Sequence, residues 1–374
     1  MAMMKPQALD FSLEDWKRWC SLKHLPSFAA NQIYQWIFGK HILDPQFFSN
    51  LPQPIRLQLI EQWRWQLPII DAHLISQDES EKFLLKTSDN MLFEMVLMPY
   101  ENRVTLCISS QVGCKMGCTF CQTGKMGFKR NLSSGEILSQ LIIANKRLKE
   151  TDRGKITNVV FMGMGEPLDN YDMVVKACSI MIDPQGFGLS HCRVTISTAG
   201  LVPEIRKLGK DLPVRLAISL HTADEEKRNR MMPINRTYGL ALLKEALLEY
   251  PAPKRYGITF EYVMIEGVND SIQDARKLAR FLHGLKAKVN LIPINHFPGM
   301  AMRASDAERI RQFQTYLTDR SIPAPVRYSR GQDISGGCGQ LAAKHKDELH
   351  LDPRVLSHKR RQDLTSEVQA TTKT

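Results

Sequence analysis

This sequence lacks any run of about 18 apolar residues, the length that a membrane-spanning helix requires. Its first residues, 1–7, also lack the apolar stretch of a secretory signal peptide. Together the two absences predict a cytoplasmic protein that does not span a membrane.

Cysteine is scarce, and the eight cysteines are not spread in the manner of a secreted disulfide framework. In a reducing compartment, free thiols indicate metal binding or catalysis. We predict that Cys20, Cys178 and Cys192 are small packing residues. The remaining cysteines carry the candidate chemistry.

Acidic residues are outnumbered: 39 Asp and Glu face 50 Lys and Arg, and the formal net charge is +11. This excess predicts a polyanionic partner, of which nucleic acid is the usual one. Charge alone does not choose between RNA, DNA and an acidic membrane surface. A basic protein without any such partner stays an alternative.

Residues 1–80 are predicted to form a small helical domain. Residues 13–22 and 29–38 have helical apolar spacing, and Gly39 can end the second helix. Aromatic and basic side chains alternate here, as in Trp16-Lys17-Arg18-Trp19. That pattern fits a surface that stacks on bases and holds phosphates. It fits the core of a helical domain as well, so both interpretations stay open.

From residue 81 to 345, predicted strands and helices alternate, which indicates an α/β fold with a parallel sheet. The number of units predicts a partial or complete βα barrel, with a doubly wound sheet as the alternative. Residues 346–374 read as a polar, basic tail. The alternative for the tail is an arm that binds RNA. Core strands are predicted at 104–109, 156–162, 193–197, 214–219, 258–265 and 289–292, with a last one at 326–328. Ser133 and Glu136 have the spacing of a capping box that begins a helix through Lys149. Further helices are predicted near 171–183, 202–209, 237–249, 270–284 and 304–318.

Three cysteines, Cys114, Cys118 and Cys121, lie within eight residues. They supply three ligands where a 4Fe-4S cluster has four irons, which leaves one iron open. Zinc is the alternative, but zinc sites pair two cysteines twice or add histidines, and no histidine lies in this loop. The spacing resembles the cluster loop of the radical S-adenosylmethionine (radical SAM) enzymes.

Unusual residues follow the predicted strands, at the edge where βα barrels carry their chemistry. Glu94, in contrast, lies inside an apolar strand, so it is either at a sheet edge or held in a site. Cys107 precedes the cysteine loop, and Cys338 is flanked by glycines that suit a nucleophile which must be reached. The strand-end segments are Gly163-Met-Gly165-Glu166-Pro167, Ser197-Thr-Ala-Gly200, Ser219-Leu220-His221 and Pro293-Ile-Asn295.

Taken together, these motifs resemble the radical SAM adenine-C2 methyltransferases of large-subunit ribosomal RNA, which in bacteria also modify transfer RNA. The resemblance covers residues 20–345, and the combination of Cys107 with Cys338 is its most specific part. Its segments are Arg103 to Cys121, Phe161 to Leu168, Val194 to Thr198, Ala217 to His221, Val289 to Asn295 and Asp333 to Leu341.

The resemblance implies a partial βα barrel and a radical mechanism. One SAM methylates Cys338, and a second SAM, on the open iron of a 4Fe-4S cluster, is cleaved to a radical that takes hydrogen from the S-methyl group. The carbon radical adds to C2 of adenine in 23S ribosomal RNA or transfer RNA. Cys107 then resolves the cross-link through a transient disulfide with Cys338, and Glu94 is the implied proton acceptor.

The resemblance also implies the remaining site residues and partners. Cys114, Cys118 and Cys121 would hold the cluster, and the electron donor would be a protein such as flavodoxin. The enzyme is expected to act as a monomer. The implied SAM-contacting residues are Gly165, Glu166, Ser197, Ser219, Leu220, His221 and Asn295.

Three alternatives stay open. The related adenine-C8 methyltransferases share the cluster, both cysteines and the fold, although Pro167 after Glu166 favours the C2 group. A non-catalytic RNA-binding protein stapled by a metal explains the charge and the loop, but it gives no reason for Cys107 and Cys338. A radical SAM enzyme that acts on a protein or a small molecule fits the net charge less well.

Overall fold

The computed structural model describes residues 5–252 and 257–343. The predicted tail, residues 346–374, lies outside the described residues. Within the described ranges the chain is mixed α/β, with a nine-stranded sheet flanked by helices. No helix in those ranges has the length and apolar character needed to cross a membrane.

Three α-helices come first, and the predicted helices over 13–22 and 29–38 are both present. A capping box between Ser12 and Asp15 begins the first helix, and the second continues as a π-turn through Gln35–Gly39. The helical part ends earlier than residue 80, because a strand already begins at Ile69. The helices are α1 (Leu13–Leu22), α2 (Ser27–Tyr34) and α3 (Gln53–Gln62).

Aromatic side chains form the core of this helical part. Trp16 is fully buried, and its ring lies 4.6 Å from that of Trp63 and 5.7 Å from that of Trp19. Tyr34 and Phe38 are buried as well. The aromatics of the Trp16–Phe38 stretch therefore pack mainly inside the protein, as the core interpretation predicts.

The large sheet has an antiparallel part and a parallel part. Strands β1 to β4 pair as successive antiparallel neighbours, and β4, β7, β8, β9, β10 and β11 pair in parallel. The strands are β1 (Ile69–Ile75), β2 (Glu81–Lys86), β3 (Leu92–Tyr100), β4 (Arg103–Cys107), β7 (Asn158–Phe161), β8 (Val194–Thr198), β9 (Arg215–Ser219), β10 (Ile258–Met264) and β11 (Ala287–Pro293).

A separate hairpin of β5 (Gln111–Gly113) and β6 (Phe128–Asn131) brackets the cysteine loop. The predicted capping box of Ser133 and Glu136 is confirmed at the start of α5. The remaining helices are α4 (Gln122–Lys125), α5 (Ser134–Glu150), α6 (Tyr171–Ile182), α7 (Val202–Asp211), α8 (Glu225–Met231), α9 (Leu240–Glu249), α10 (Ile272–Leu282) and α11 (Ala307–Thr318).

The predicted partial βα barrel is confirmed. Helices connect the parallel strands, and the order of strands in the sheet follows the order of the chain from β1 to β11. A doubly wound sheet would instead reverse its strand order. In the described residues β1 and β11 do not pair, so the sheet is open. The last predicted strand, 326–328, is absent. Val326 forms only an isolated bridge with Leu291 at the edge of β11.

Candidate active site

The carboxyl ends of the parallel strands meet at one cavity, which we call the cluster cavity. Its walls include the three loop cysteines, Cys338 and most of the predicted SAM-contacting residues. The predicted residues among them are Cys114, Cys118, Cys121, Gly165, Glu166, Ser197, Ser219, His221, Asn295 and Cys338. Leu220 is an exception, because its side chain is fully buried and does not line this cavity.

The cysteine loop, residues 114–121, is anchored at both ends. The backbone N–H of Cys114 donates to the carbonyl of Gly127 at 3.1 Å, and that of Thr119 donates to the carbonyl of Met231 at 3.0 Å. The ring of Phe120 packs edge-on against His221, with ring centroids 4.6 Å apart. The loop thus holds its thiols against the sheet.

The donor set fits an iron–sulfur cluster. In the described ranges no three His, Cys, Asp or Glu side chains lie close enough together to hold a single metal ion. The three loop cysteines nevertheless line one cavity. A cubane cluster is larger than a single ion, so its ligands stand further apart, and three cysteines leave one iron for another ligand.

Burial is the main cause of the raised pKa values of the three thiols in the cysteine loop. It raises the pKa of Cys114 to about 12, and burial together with the neighbouring cysteines raises the pKa of Cys118 further. Burial also raises the pKa of Cys121. Thiolates here therefore need a strong positive partner, which iron supplies.

At Gly163 and Gly165 the backbone lies unusually close to other groups, and those groups belong to the protein and not to a ligand. A Cβ on Gly165, whose φ is +101°, would lie 2.6 Å from the Cβ of Gln111. The side-chain oxygen of Gln111 accepts from the N–H of Glu166 at 2.8 Å. These glycines therefore let Gln111 fix the start of the Glu166 turn.

Glu166 is a buried carboxyl at the cavity wall. It accepts from the backbone N–H groups of Ala199 at 2.7 Å and Leu168 at 3.1 Å. Burial raises the pKa of Glu166 to about 7, although these hydrogen bonds oppose the shift. Such a group can bind the ammonium of an amino acid while it is ionised.

Arg228 organises the loops that follow β8 and β9, and no local sequence pattern predicted this role. Its guanidinium is fully buried and donates to the carbonyls of Ala199 at 2.7 Å and Leu220 at 3.2 Å. Burial lowers the pKa of His221 to about 3, and its Nδ1 accepts from the N–H of Val263. His221 is therefore neutral, and Nε2 carries its proton.

The Cys338 loop, residues 329–343, is pinned beside the cysteine loop. Its Gly339 carbonyl accepts from the N–H of Gln122 at 2.8 Å, and Asn295 Nδ2 donates to the Cys338 carbonyl at 2.9 Å. Gln340 bonds within the loop and also donates to the carbonyl of His296. Although Cys338 is flanked by glycines, its backbone is held by these contacts.

Cys107 lines a second cavity, which we call the Cys107 cavity and which Cys338 also lines. Both cysteines line it, while Cys107 does not line the cluster cavity. Both thiols are free. Burial raises the pKa of Cys107, and the Cys338 thiolate raises it further, which places the two thiols within electrostatic reach.

Glu94 is buried on β3, the third of the nine strands, and lines neither of these two cavities. One carboxylate oxygen lies 3.1 Å from Lys82 Nζ, and the other accepts from the backbone N–H groups of Ala342 and Ala343 at 2.8 and 3.2 Å. Lys82 also donates to the carbonyl of Ser335. Glu94 and Lys82 therefore hold both sides of the Cys338 loop.

Glu261 is a site residue that our sequence analysis missed. It is buried on β10 and lines both the cluster cavity and the Cys107 cavity. Asn290 Nδ2 donates to its carboxylate at 2.8 Å. This residue could have been predicted from the sequence, because Glu261 interrupts an apolar strand in the same way as Glu94 does.

Comparison with known proteins agrees with this geometry. Residues 108–282 match the family model of the radical SAM superfamily. The chain is 43% identical to a dual-specificity RNA methyltransferase RlmN from Syntrophobacter fumaroxidans, over 90% of this chain and 98% of that protein. It is 46% identical to the protein of that name from an Anaeromyxobacter species, over 85% of each.

A crystal structure of a radical SAM methyltransferase from Sphaerobacter thermophilus superimposes with a TM-score of 0.86. The two chains are 39% identical, and the match covers 91% of this chain and 100% of that one.

Proposed function

This chain belongs to the radical SAM dual-specificity RNA methyltransferases, and from that membership we propose that it methylates C2 of a specific adenosine in 23S ribosomal RNA and in transfer RNA. The methyl group passes through an S-methylcysteine on Cys338. The net charge of +11 supports an RNA substrate, because phosphates must be neutralised on binding.

The observation that carries the proposal is the position of Cys338. Its side chain lines the cluster cavity together with Cys114, Cys118 and Cys121 and lines the Cys107 cavity on the other side. Adenine C2 is not a nucleophile, so a methyl carrier between a radical source and the base meets a chemical need. A protein that used its metal only as a staple would not need Cys338 or Cys107 at these places.

The loop cysteines would hold a 4Fe-4S cluster, which when bound supplies the electron that cleaves SAM. SAM would be contacted and oriented from the strand ends by six residues that all line the cluster cavity: Gly165, Glu166, Ser197, Ser219, His221 and Asn295. Leu220 would act through its backbone, whose carbonyl is fixed by Arg228.

Cys107 would attack the sulfur of Cys338 and form the transient disulfide, while the bond from that sulfur to the carbon attached to the RNA breaks. The electron pair of the broken bond stays on that carbon, which takes up a proton and becomes the methyl group. The cavity that the two cysteines share supports this step. Glu94 remains the proposed proton acceptor, although its contacts with Lys82, Ala342 and Ala343 equally support a positioning role. We further propose two SAM molecules per turnover, a flavodoxin-like electron donor, and a monomer that acts in the cytoplasm. The N-terminal part of the chain, residues 1–80, whose helices end before β1, is proposed to contribute to RNA binding.

The decisive experiment is nucleoside mass spectrometry. Reconstituted protein is incubated without oxygen with SAM, a reductant and unmodified ribosomal RNA, and the digest is compared with 2-methyladenosine and 8-methyladenosine standards. A 2-methyladenosine peak is expected, and the same assay on transfer RNA then defines the substrate range. An 8-methyladenosine peak would instead identify the C8 alternative. A preparation that cleaves SAM but yields neither product would overturn the proposed substrate.

The role of Cys107 can be tested by Cys107→Ala. Without the resolving thiol, the bond between Cys338 and the RNA should persist, so a protein–RNA adduct should accumulate on denaturing gels with labelled RNA. Cys178→Ala, at another buried cysteine, is the matched control and should give no adduct. Free turnover by the Cys107 variant would remove Cys107 from the mechanism.

A further inference from the structure

Cys338 must lose a proton before it can accept a methyl group. The residue is exposed, but the protein packed around its thiol disfavours the charged form. Burial raises the pKa of Cys338 to about 11, and the charge of Glu261 contributes to that shift. Few thiolates therefore form spontaneously near neutral pH. A base close to the thiol would remove this obstacle.

Glu261 is positioned for that task. Three buried glutamates of the described residues differ in the cavities that they line. Glu166 lines only the cluster cavity, Glu94 lines neither cavity, and Glu261 lines both together with Cys338. The proposed roles of Glu166 and Glu94 leave Glu261 without a function. A buried carboxyl that shares both cavities with the methyl acceptor is a candidate for a catalytic role.

The surroundings keep Glu261 able to ionise. Asn290 donates a hydrogen bond to the carboxylate at 2.8 Å. Burial raises the pKa of Glu261 on balance, and Asn290, Arg327 and Lys288 oppose that shift because they favour the ionised carboxylate. The other titratable side chains that line its two cavities are Cys107, Cys114, Cys118, Cys121, Glu166, His221, Tyr100, Arg327, Tyr328, Arg330 and Cys338.

We propose that Glu261 is the general base for the methylation of Cys338, a step that rests on the function proposed above. The Cys338 sulfur forms a bond to the methyl carbon of SAM, and the bond between that carbon and the sulfonium sulfur breaks. Its electron pair stays on the sulfur of the departing S-adenosylhomocysteine. The thiol proton moves to the Glu261 carboxylate. No oxidant or reductant enters this step.

The test measures this half-reaction alone. Reconstituted protein, whose Cys338 is shown by mass spectrometry to be unmodified, is mixed with deuteromethyl-labelled SAM without RNA or reductant. The rate at which the Cys338 peptide gains the labelled methyl group is followed in the wild-type protein and in Glu261→Gln. Iron content and SAM affinity are measured in both. Glu308→Gln, on the exposed side of α11, is the matched control for the substitution.

We expect Glu261→Gln to slow methylation of Cys338 by at least about 100-fold, the usual contribution of general base catalysis. The remaining rate should rise in proportion to hydroxide concentration, because solvent must then deprotonate the thiol. Glu261→Asp should recover part of the rate. Methylation by Glu261→Gln at the wild-type rate would overturn the proposal. A wild-type protein that never labels Cys338 would instead overturn the function on which the proposal rests.

A second variant keeps the proposal testable if Glu261→Gln fails to bind iron. Asn290→Ala removes the donor that stabilises the ionised carboxylate, so the pKa of Glu261 should rise. The midpoint of the pH profile for Cys338 methylation should then move to higher pH. An unchanged or lowered midpoint would contradict a base at this position.

Discussion

The cysteine loop and the Cys338 loop bring thiols to the same cavity by different means. In the cysteine loop, sequence neighbours supply all three ligands, and the β5–β6 hairpin brackets them. The Cys338 loop places a single thiol, and distant segments fix it: Lys82 on β2, Glu94 on β3, Gln122 on α4 and Asn295 after β11. A metal-binding motif can thus be local, whereas a reacting group that must meet two cavities is placed by the whole fold.

The largest effect is expected from breaking the cysteine loop. In Cys118→Ser the weaker oxygen ligand should prevent cluster assembly, so the iron content and the reductive cleavage of SAM should both be lost. Iron analysis and 5′-deoxyadenosine release measure these two quantities. Cys192→Ser, outside the loop, is the control and should keep both. Full iron occupancy in Cys118→Ser would show that the loop is not the ligand set.

Removing the thiol of the Cys338 loop should separate RNA methylation from the binding of iron and SAM. Cys338→Ala should abolish RNA methylation because the methyl carrier is gone. The iron content and SAM binding should match those of the wild-type protein, since Cys338 is not among the proposed ligands. Nucleoside mass spectrometry and equilibrium dialysis measure the two outcomes. Retained methylation would refute the role of Cys338.

Lys82→Met should destabilise the protein, because it leaves the carboxylate of Glu94 buried and unpaired. We expect the free energy of unfolding in urea to fall by about 3–5 kcal/mol. Lys86→Met, on the same strand, removes a more exposed ion pair with Asp71 and should cost less than about 1 kcal/mol.

The double variant Lys82→Met, Glu94→Gln should recover most of the loss, because no charge then remains buried. Equal losses in Lys82→Met and Lys86→Met would mean that the pair does not clamp the Cys338 loop.

The smallest effect concerns pH. Burial raises the pKa of Glu166 to about 7, so its carboxyl is mostly neutral below that pH and ionised above it. A bound ammonium favours the ionised form, so SAM affinity should fall by up to about tenfold per pH unit below the pKa. Calorimetric titration across that range should show this dependence in the wild-type protein and lose it in Glu166→Gln. Parallel profiles in the two proteins would contradict the assignment of Glu166 to SAM.

Much of the fold could be predicted from local pattern. Apolar periodicity located the parallel core strands and most of the helices, and the Ser133–Glu136 capping box set the start of α5. Strand β1 was missed because it is an edge strand that leaves Ile69, Ile70 and Ile75 exposed, so its pattern lacks a buried face. The short segment at Val326 was over-predicted, since it forms only one bridge.

The sequence by itself determined the spacing of the cysteines, the strand-end motifs and the presence of Glu94 within the apolar strand β3, because each of these features consists of residues that are close together in the chain. Only the tertiary structure decided what these residues face. It paired Glu94 with Lys82, buried Arg228 beneath two loops and placed Glu261 at the wall of both cavities. Such contacts join residues far apart in the chain, and their energetics depend on burial, which local pattern does not encode.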